Sequence, residues 1–263
     1  MATKRTIFEE VGTDQKQTTA ATGAITKTDG GNRPLVAKWL WALIILIVVM
    51  ILVGGLTRLT DSGLSITEWD PVMGAIPPMN TAAWDTAFTA YKKTAEFQTQ
   101  NMAMTLAEFK TIFWWEWGHR QLGRFIGLVW FVGFAVFYFT NKLPTSRRMA
   151  VLWIGPFIGL QGLSGWLMVN SGLDGVRTDV ASYWLMVHLG AAFALLGYIF
   201  WQAQIMARSE GDLLQARRNR ERKVFGMGTG LMHFVFLQIL LGALVAGIDA
   251  GRNYTDWPLM AGG

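Results

Sequence analysis

Apolar residues in this chain gather into five long runs, at about 35–57, 112–140, 149–169, 183–206 and 224–248. Each run reaches the ~20 residues that a helix needs to cross a hydrocarbon layer of ~30 Å. A soluble core helix of that length would carry a polar face from end to end, and these runs do not. The pattern predicts an all-α integral membrane protein: a four-helix transmembrane bundle, followed by the first helix of a second, incomplete four-helix repeat. Residues 1–33 are polar and lack apolar periodicity, so they read as a disordered cytoplasmic tail. Residues 34–206 form the first four-helix half, with a long outer loop at 58–111. A basic cytoplasmic loop follows at 207–223, and 224–263 hold the first helix and outer segment of a truncated second half.

Charge sets the orientation. Charged residues make up 16% of the chain, well below the ~25% of soluble domains, and the net charge of +5 sits in short connectors. In a soluble protein that excess would suggest nucleic acid. Here Lys142, Arg147 and Arg148 follow the second run, while Arg208, Arg217, Arg218, Arg220, Arg222 and Lys223 follow the fourth. These loops read as cytoplasmic by the positive-inside rule, which puts the N-terminus inside and the 58–111 loop outside. The tail carries Glu9, Glu10, Asp14 and Asp29, unlike an acid-poor mitochondrial transit peptide. The bacterial inner membrane is the expected location, with the mitochondrial inner membrane second.

Two exits from the membrane look alike. VGGLTRLTDSGLSITEWDPVMG follows the first run and VAGIDAGRNYTDWPLMAG the fifth, and QGLSGWLMVNSGL after the third is a weaker echo. The first and fifth runs point the same way, which suggests a parallel repeat with a four-helix period.

The chain has no cysteine, so thiolate metal sites, disulfides and cysteine nucleophiles are excluded and histidine is the remaining strong haem ligand. His119 and His188 lie at comparable depth, one to two turns inside the outer ends of the second and fourth runs. Two facing imidazoles can ligate one haem iron where small residues admit the macrocycle. Gly118, Gly123 and Gly127 flank the first histidine, and Gly190, Ala191 and Ala192 flank the second. A lone membrane histidine is more often a packing residue, and His233, without a partner at its depth, is read as a packing or polar-contact residue. Glu116, His119 and Arg120 share a helix face through i, i+3 and i+4 spacing. The plain reading of Glu116 with Arg120 is an interfacial salt bridge; the sharper one is a carboxylate that takes or relays a proton beside the iron. Arg58, Arg120 and Arg124 are candidates for binding haem propionates. The IFWWEWGH run reads first as an interfacial aromatic belt.

Together GGLTRLTDSGLSITEWDPVMGAIPP, EFKTIFWWEWGHRQLGR, GLQGLSGWLMVNSGL and AGIDAGRNYTDWPLM resemble the haem A synthase family, in its proteobacterial and mitochondrial branch. The resemblance spans nearly everything after residue 34. It implies eight helices in two halves, each with a histidine pair, and oxidation of the C8 methyl of haem O to the formyl of haem A for terminal oxidases. On that pattern His119 and His188 are the axial pair around the haem being modified, and Glu116 is the essential carboxylate. Gly54, Arg58 and Trp69 match motif positions of unassigned role. The pair that holds haem b falls on helices absent from this chain, and His233 matches neither member. Expected partners are haem O, the bilayer, haem O synthase or oxidase-assembly proteins, and further copies of the chain in a homo-oligomer. The alternative reading is a non-catalytic bis-histidine membrane haem carrier or electron-transfer module, and a third is a haem-free assembly scaffold.

Overall fold

The computed structural model describes residues 32–253, so residues 1–31 of the expected N-terminal tail and the last ten residues lie outside the described part, while Arg33, expected in the tail, opens the first helix. The described residues are helical, without strands, and five stretches are long and apolar enough to span a membrane: Arg33–Leu59, Leu106–Phe139, Thr145–Gly172, Ser182–Met206 and Arg222–Gly247. The all-α membrane fold follows the sequence expectation.

Helix α1 (Arg33–Leu59) starts where the Asn32 side chain accepts from the Leu35 N–H, with proline in its first turn. The 58–111 segment, expected as a loop, contains α2 (Thr81–Tyr91) and the short α3 (Ala95–Thr99). Its missed signal was Asn80, whose side chain caps Ala83 N–H ahead of an apolar Trp84, Phe88 and Tyr91 stripe. That stripe meets Phe109 and Phe113 in an aromatic core of its own, with Tyr91 stacked on Phe109 at 5.2 Å. Helix α4 (Leu106–Phe139) therefore begins some turns before its apolar run, on a Thr105/Glu108 capping box.

The third span is broken. Helix α5 (Arg148–Leu152) stops and α6 (Ile154–Gly172) restarts, because Pro156 has no N–H for the Leu152 carbonyl. Helix α7 (Ser182–Met206) follows. The expected 207–223 loop contains α8 (Glu210–Arg218), started by a Ser209/Asp212 capping box, before α9 (Arg222–Gly247) and the short α10 (Ala250–Asn253).

Helices α1, α4, α6 and α7 close a ring, each packing on its neighbours, while α9 lies outside against α7. The ring is filled by Leu40, Leu43, Ile47, Ile126, Val151, Ile154, Leu195 and Ile199. Glycines set the close approaches. A Cβ on Gly133 would meet the Trp39 ring at 2.1 Å and one on Gly155 the Trp130 ring at the same distance. Gly190, expected beside a macrocycle, instead receives Leu240 of α9, whose Cδ2 lies 2.5 Å from where its Cβ would stand.

Three of the long helices end on a left-handed residue. After α1 the chain turns through Asp61 at φ 46°, and after α9 through Asp249 at φ 50°. Each stands second after its helix, the left-handed position that ends many helices and that aspartate and asparagine tolerate. Asn141 does the same after α4, at φ 55°.

Candidate functional site

At the end of the ring where α1 leaves it, two histidines sit on facing helices. His119 comes from the first half of α4 and His188 from the second turn of α7. Both rings are half-buried. The sequence expected the two imidazoles at comparable depth, and they stand on two of the four ring helices.

Each ring rests on a glycine from a neighbouring helix. A Cβ on Gly54 of α1 would stand 2.8 Å from His119 Cε1, and one on Gly165 of α6 would stand 3.1 Å from His188 Cε1. Both are closer than ordinary contact, so only glycine leaves these imidazoles in place. The glycines singled out from the sequence act elsewhere: Gly123 lies against Met50, and nothing lies within 4 Å of the Gly118 position. Seats on other helices could not be read from spacing along α4 and α7.

The backing of the two rings differs. Ser164 Oγ lies 2.9 Å from His188 Nδ1 and 3.0 Å from the Gln161 carbonyl, to which it donates. His119 Nδ1 is buried without a partner. An orphaned imidazole nitrogen next to a glycine seat fits a ring held for a ligand more than one held for packing.

Glu116 is buried, one turn before the histidine, and both oxygens are engaged. One accepts from Ser65 Oγ and from the Ile66 N–H, each at 2.7 Å; the other pairs with Arg120. Arg120 also donates to the Ile66 carbonyl at 2.9 Å and the Glu68 carbonyl at 3.2 Å. One turn further, Arg124 donates to the Pro71 carbonyl at 2.9 Å and the Asp70 carbonyl at 3.0 Å, and Gln121 Nε2 to the Ala75 carbonyl at 2.6 Å. Positions 116, 120 and 124 make one stripe, and that stripe fastens the 65–75 segment along α4. The salt bridge between Glu116 and Arg120 is present, within a larger clamp that the sequence did not show.

Arg58 has different neighbours. Its guanidinium meets Asp61 at 3.1 Å, Asp179 at 3.3 Å and Asp249 at 2.8 Å, so the ends of α1 and α9 and the α6–α7 connector converge on it. Between the 66–69 segment, Arg120 and the end of α6 lies a cleft of about 20 Å³, where Trp69 and Trp166 stand 6.2 Å apart.

In the α2–α3 region, outside the membrane spans, Glu96 is buried against Tyr91, with Oε2 unpartnered. Burial first, then the Asp179 and Asp61 charges, push its carboxyl up to about 8. Burial also raises Tyr91, whose hydroxyl accepts from Asn101 Nδ2 at 2.8 Å. His233 is exposed on α9 and donates from Nδ1 to the Thr229 carbonyl at 2.8 Å. That is the polar contact expected of it. Of the aromatic run, Phe113 packs into the α2–α4 core while Trp114 and Trp115 stay exposed.

A family model for cytochrome oxidase assembly protein, COX15-CtaA, matches residues 37–263. The chain is 57% identical over 261 residues to a protein named Heme A synthase from Ruegeria sp. strain TM1040, covering 98% of this chain and 68% of that relative. It is 54% identical to the Heme A synthase of Roseobacter denitrificans, over all of this chain and 69% of the relative. For the Heme A synthase of Cereibacter sphaeroides strain ATCC 17025 the identity is 53%, over 98% and 66%. No solved structure matches.

Proposed function

The chain belongs to the COX15-CtaA family of cytochrome oxidase assembly proteins, and on that premise we propose that it acts as a haem A synthase, oxidising the C8 methyl of haem O to a formyl group. The observation that carries this reading is the pair of histidines on facing helices, each seated on a glycine of a third or fourth helix. Such seats let imidazoles reach one macrocycle from opposite walls, as bis-histidine ligation requires.

The residues divide the work. His119 and His188 would hold the iron of the haem substrate, which would supply redox chemistry for two successive hydroxylations of the methyl by an external oxidant; the geminal diol so formed would lose water to leave the aldehyde. Arg124, which donates to backbone carbonyls, would favour haem propionates at the outer end of the site, whereas the charge of Arg120 is matched by Glu116. Arg58 is a weaker partner for propionate, because three aspartates already surround it. Glu116 acts first by holding the 65–75 segment against α4, which closes the outer end of the site. Its place one turn from His119 also supports the proton-handling role, at the carboxylate oxygen paired with Arg120.

A haem b site would belong to the second half of the family's fold, to which α9 contributes the first helix. Gly242 stands seven residues before Asp249 as Gly54 stands seven before Asp61, with nothing within 4 Å of its Cβ position. We place the chain in a bacterial inner membrane, with its histidine end outward.

The test is expression in a membrane that makes haem O but lacks the oxidation, followed by haem extraction and mass measurement. Formyl-bearing haem is expected from the chain and not from His119→Ala or His188→Ala variants. Recovery of haem O alone, bound through both histidines, would instead make the protein a haem carrier.

A further inference from the structure

We propose that Ser164 is a positioning residue that fixes the tautomer of His188, with the proton on Nδ1 and the lone pair of Nε2 left for a ligand. The inference rests on the haem-binding reading only for what Nε2 then meets; the tautomer itself follows from the hydrogen bonds.

A serine hydroxyl has a single proton to give. With the Ser164 proton on the Gln161 carbonyl at 3.0 Å and a hydrogen on His188 Nδ1, both contacts of the hydroxyl are hydrogen bonds; with the Ser164 proton given to Nδ1, only one is. The two-bond arrangement is the favoured one, and in it the Ser164 oxygen accepts from the ring nitrogen 2.9 Å away, which places a hydrogen on His188 Nδ1. The neutral imidazole has one N–H, so Nε2 is left unprotonated. Ser164 is itself buried, and no other described polar group is hydrogen-bonded to the ring.

The glycine beside it makes the arrangement rigid. Ser164 and Gly165 are consecutive on α6, the first bonded to Nδ1 and the second pressed on Cε1 at 3.1 Å from its Cβ position. One residue sets the protonation pattern and the next sets the ring's depth. Metal-bound histidines ordinarily donate their other N–H to an oxygen that fixes the ring and makes it a stronger donor, and that oxygen is in place here. His119 has nothing equivalent, since its Nδ1 is buried and unpartnered. The two histidines are therefore unequal by construction, with His188 the oriented one.

The chain is labelled with ¹⁵N-histidine, placed in lipid nanodiscs without haem, and its ring nitrogens read by NMR, with His188→Gln for assignment. His188 is expected as the Nδ1–H form in the parent chain, as the Nε2–H form or a mixture in Ser164→Ala, and as Nδ1–H again in Ser164→Thr, which keeps the hydroxyl. Nε2–H in the parent, or no change in Ser164→Ala, overturns the proposal. A second measurement titrates haem into the same samples: Ser164→Ala is expected to bind ~10–100-fold more weakly than the parent, with Ser164→Thr close to the parent. Equal affinity of Ser164→Ala and the parent would overturn the link from tautomer to ligand strength. If the parent takes up no haem at all, the proposed function fails while the tautomer result still decides the role of Ser164.

Discussion

Replacing Gly54 by alanine adds one methyl group where the structure has space for none. The new Cβ would lie 2.8 Å from His119 Cε1, 3.4 Å from Nδ1 and 3.9 Å from Nε2. Ordinary contact begins at about 3.4 Å, so the ring has to retreat by about 0.6 Å or α1 has to move away from α4. Iron–nitrogen bonds tolerate departures of only ~0.2 Å. Overpacking of this kind costs about 1–3 kcal/mol in stability. The control is next door: a Cβ on Gly55 meets nothing within 4 Å, and alanine there is expected to gain about 0.5–1 kcal/mol from helix propensity. The assay is the absorption and electron paramagnetic resonance of haem-loaded chain, with thermal unfolding in detergent alongside. Gly54→Ala is expected to lose the low-spin bis-histidine signature and melt lower, while Gly55→Ala keeps the signature and melts no lower. A low-spin spectrum in Gly54→Ala matching the parent would refute the seating argument.

Glu116→Ala removes the acceptor of Ser65, Ile66 N–H and Arg120 together, at a cost of about 3–5 kcal/mol, and limited proteolysis should cut the 65–75 segment far sooner than in the parent. Glu116→Gln keeps one acceptor oxygen and should fall between the two. Glu96 gives a pH dependence: its folded value of about 8 lies above its ordinary 4.5, so its contribution is fully present below pH 4.5 and is lost as pH rises toward 8, at up to ~1.4 kcal/mol per pH unit. Glu96→Gln should flatten that part of the stability profile, and an unchanged slope would show that the carboxyl is not the titrating group. Asp249→Asn keeps a residue that tolerates φ 50° but removes the charge that ties the end of α9 to Arg58 at 2.8 Å, and hydrogen exchange at the last turn of α9 should quicken.

The spans, their order and the histidine pair were fixed by local composition. A run of ~20 apolar residues has few alternatives to a membrane helix, because lipid leaves no partner for an unpaired backbone group. Depth along a helix follows from counting residues, so His119 and His188 could be matched before any contact was known. The α2–α3 region was hidden by its polar composition, although Asn80 and the Trp84, Phe88 and Tyr91 spacing carried its signal. Which small residues admit the rings was decided by packing between helices distant in sequence. Gly190 went to Leu240, and the seats fell to Gly54 and Gly165 on helices without histidines. In the same way Glu116 and Arg120 were visible as a pair, but their other partners are loop atoms some fifty positions away. The hydroxyl behind His188 has no mark in the sequence that separates it from any other serine, because its role exists only once α6 lies against α7.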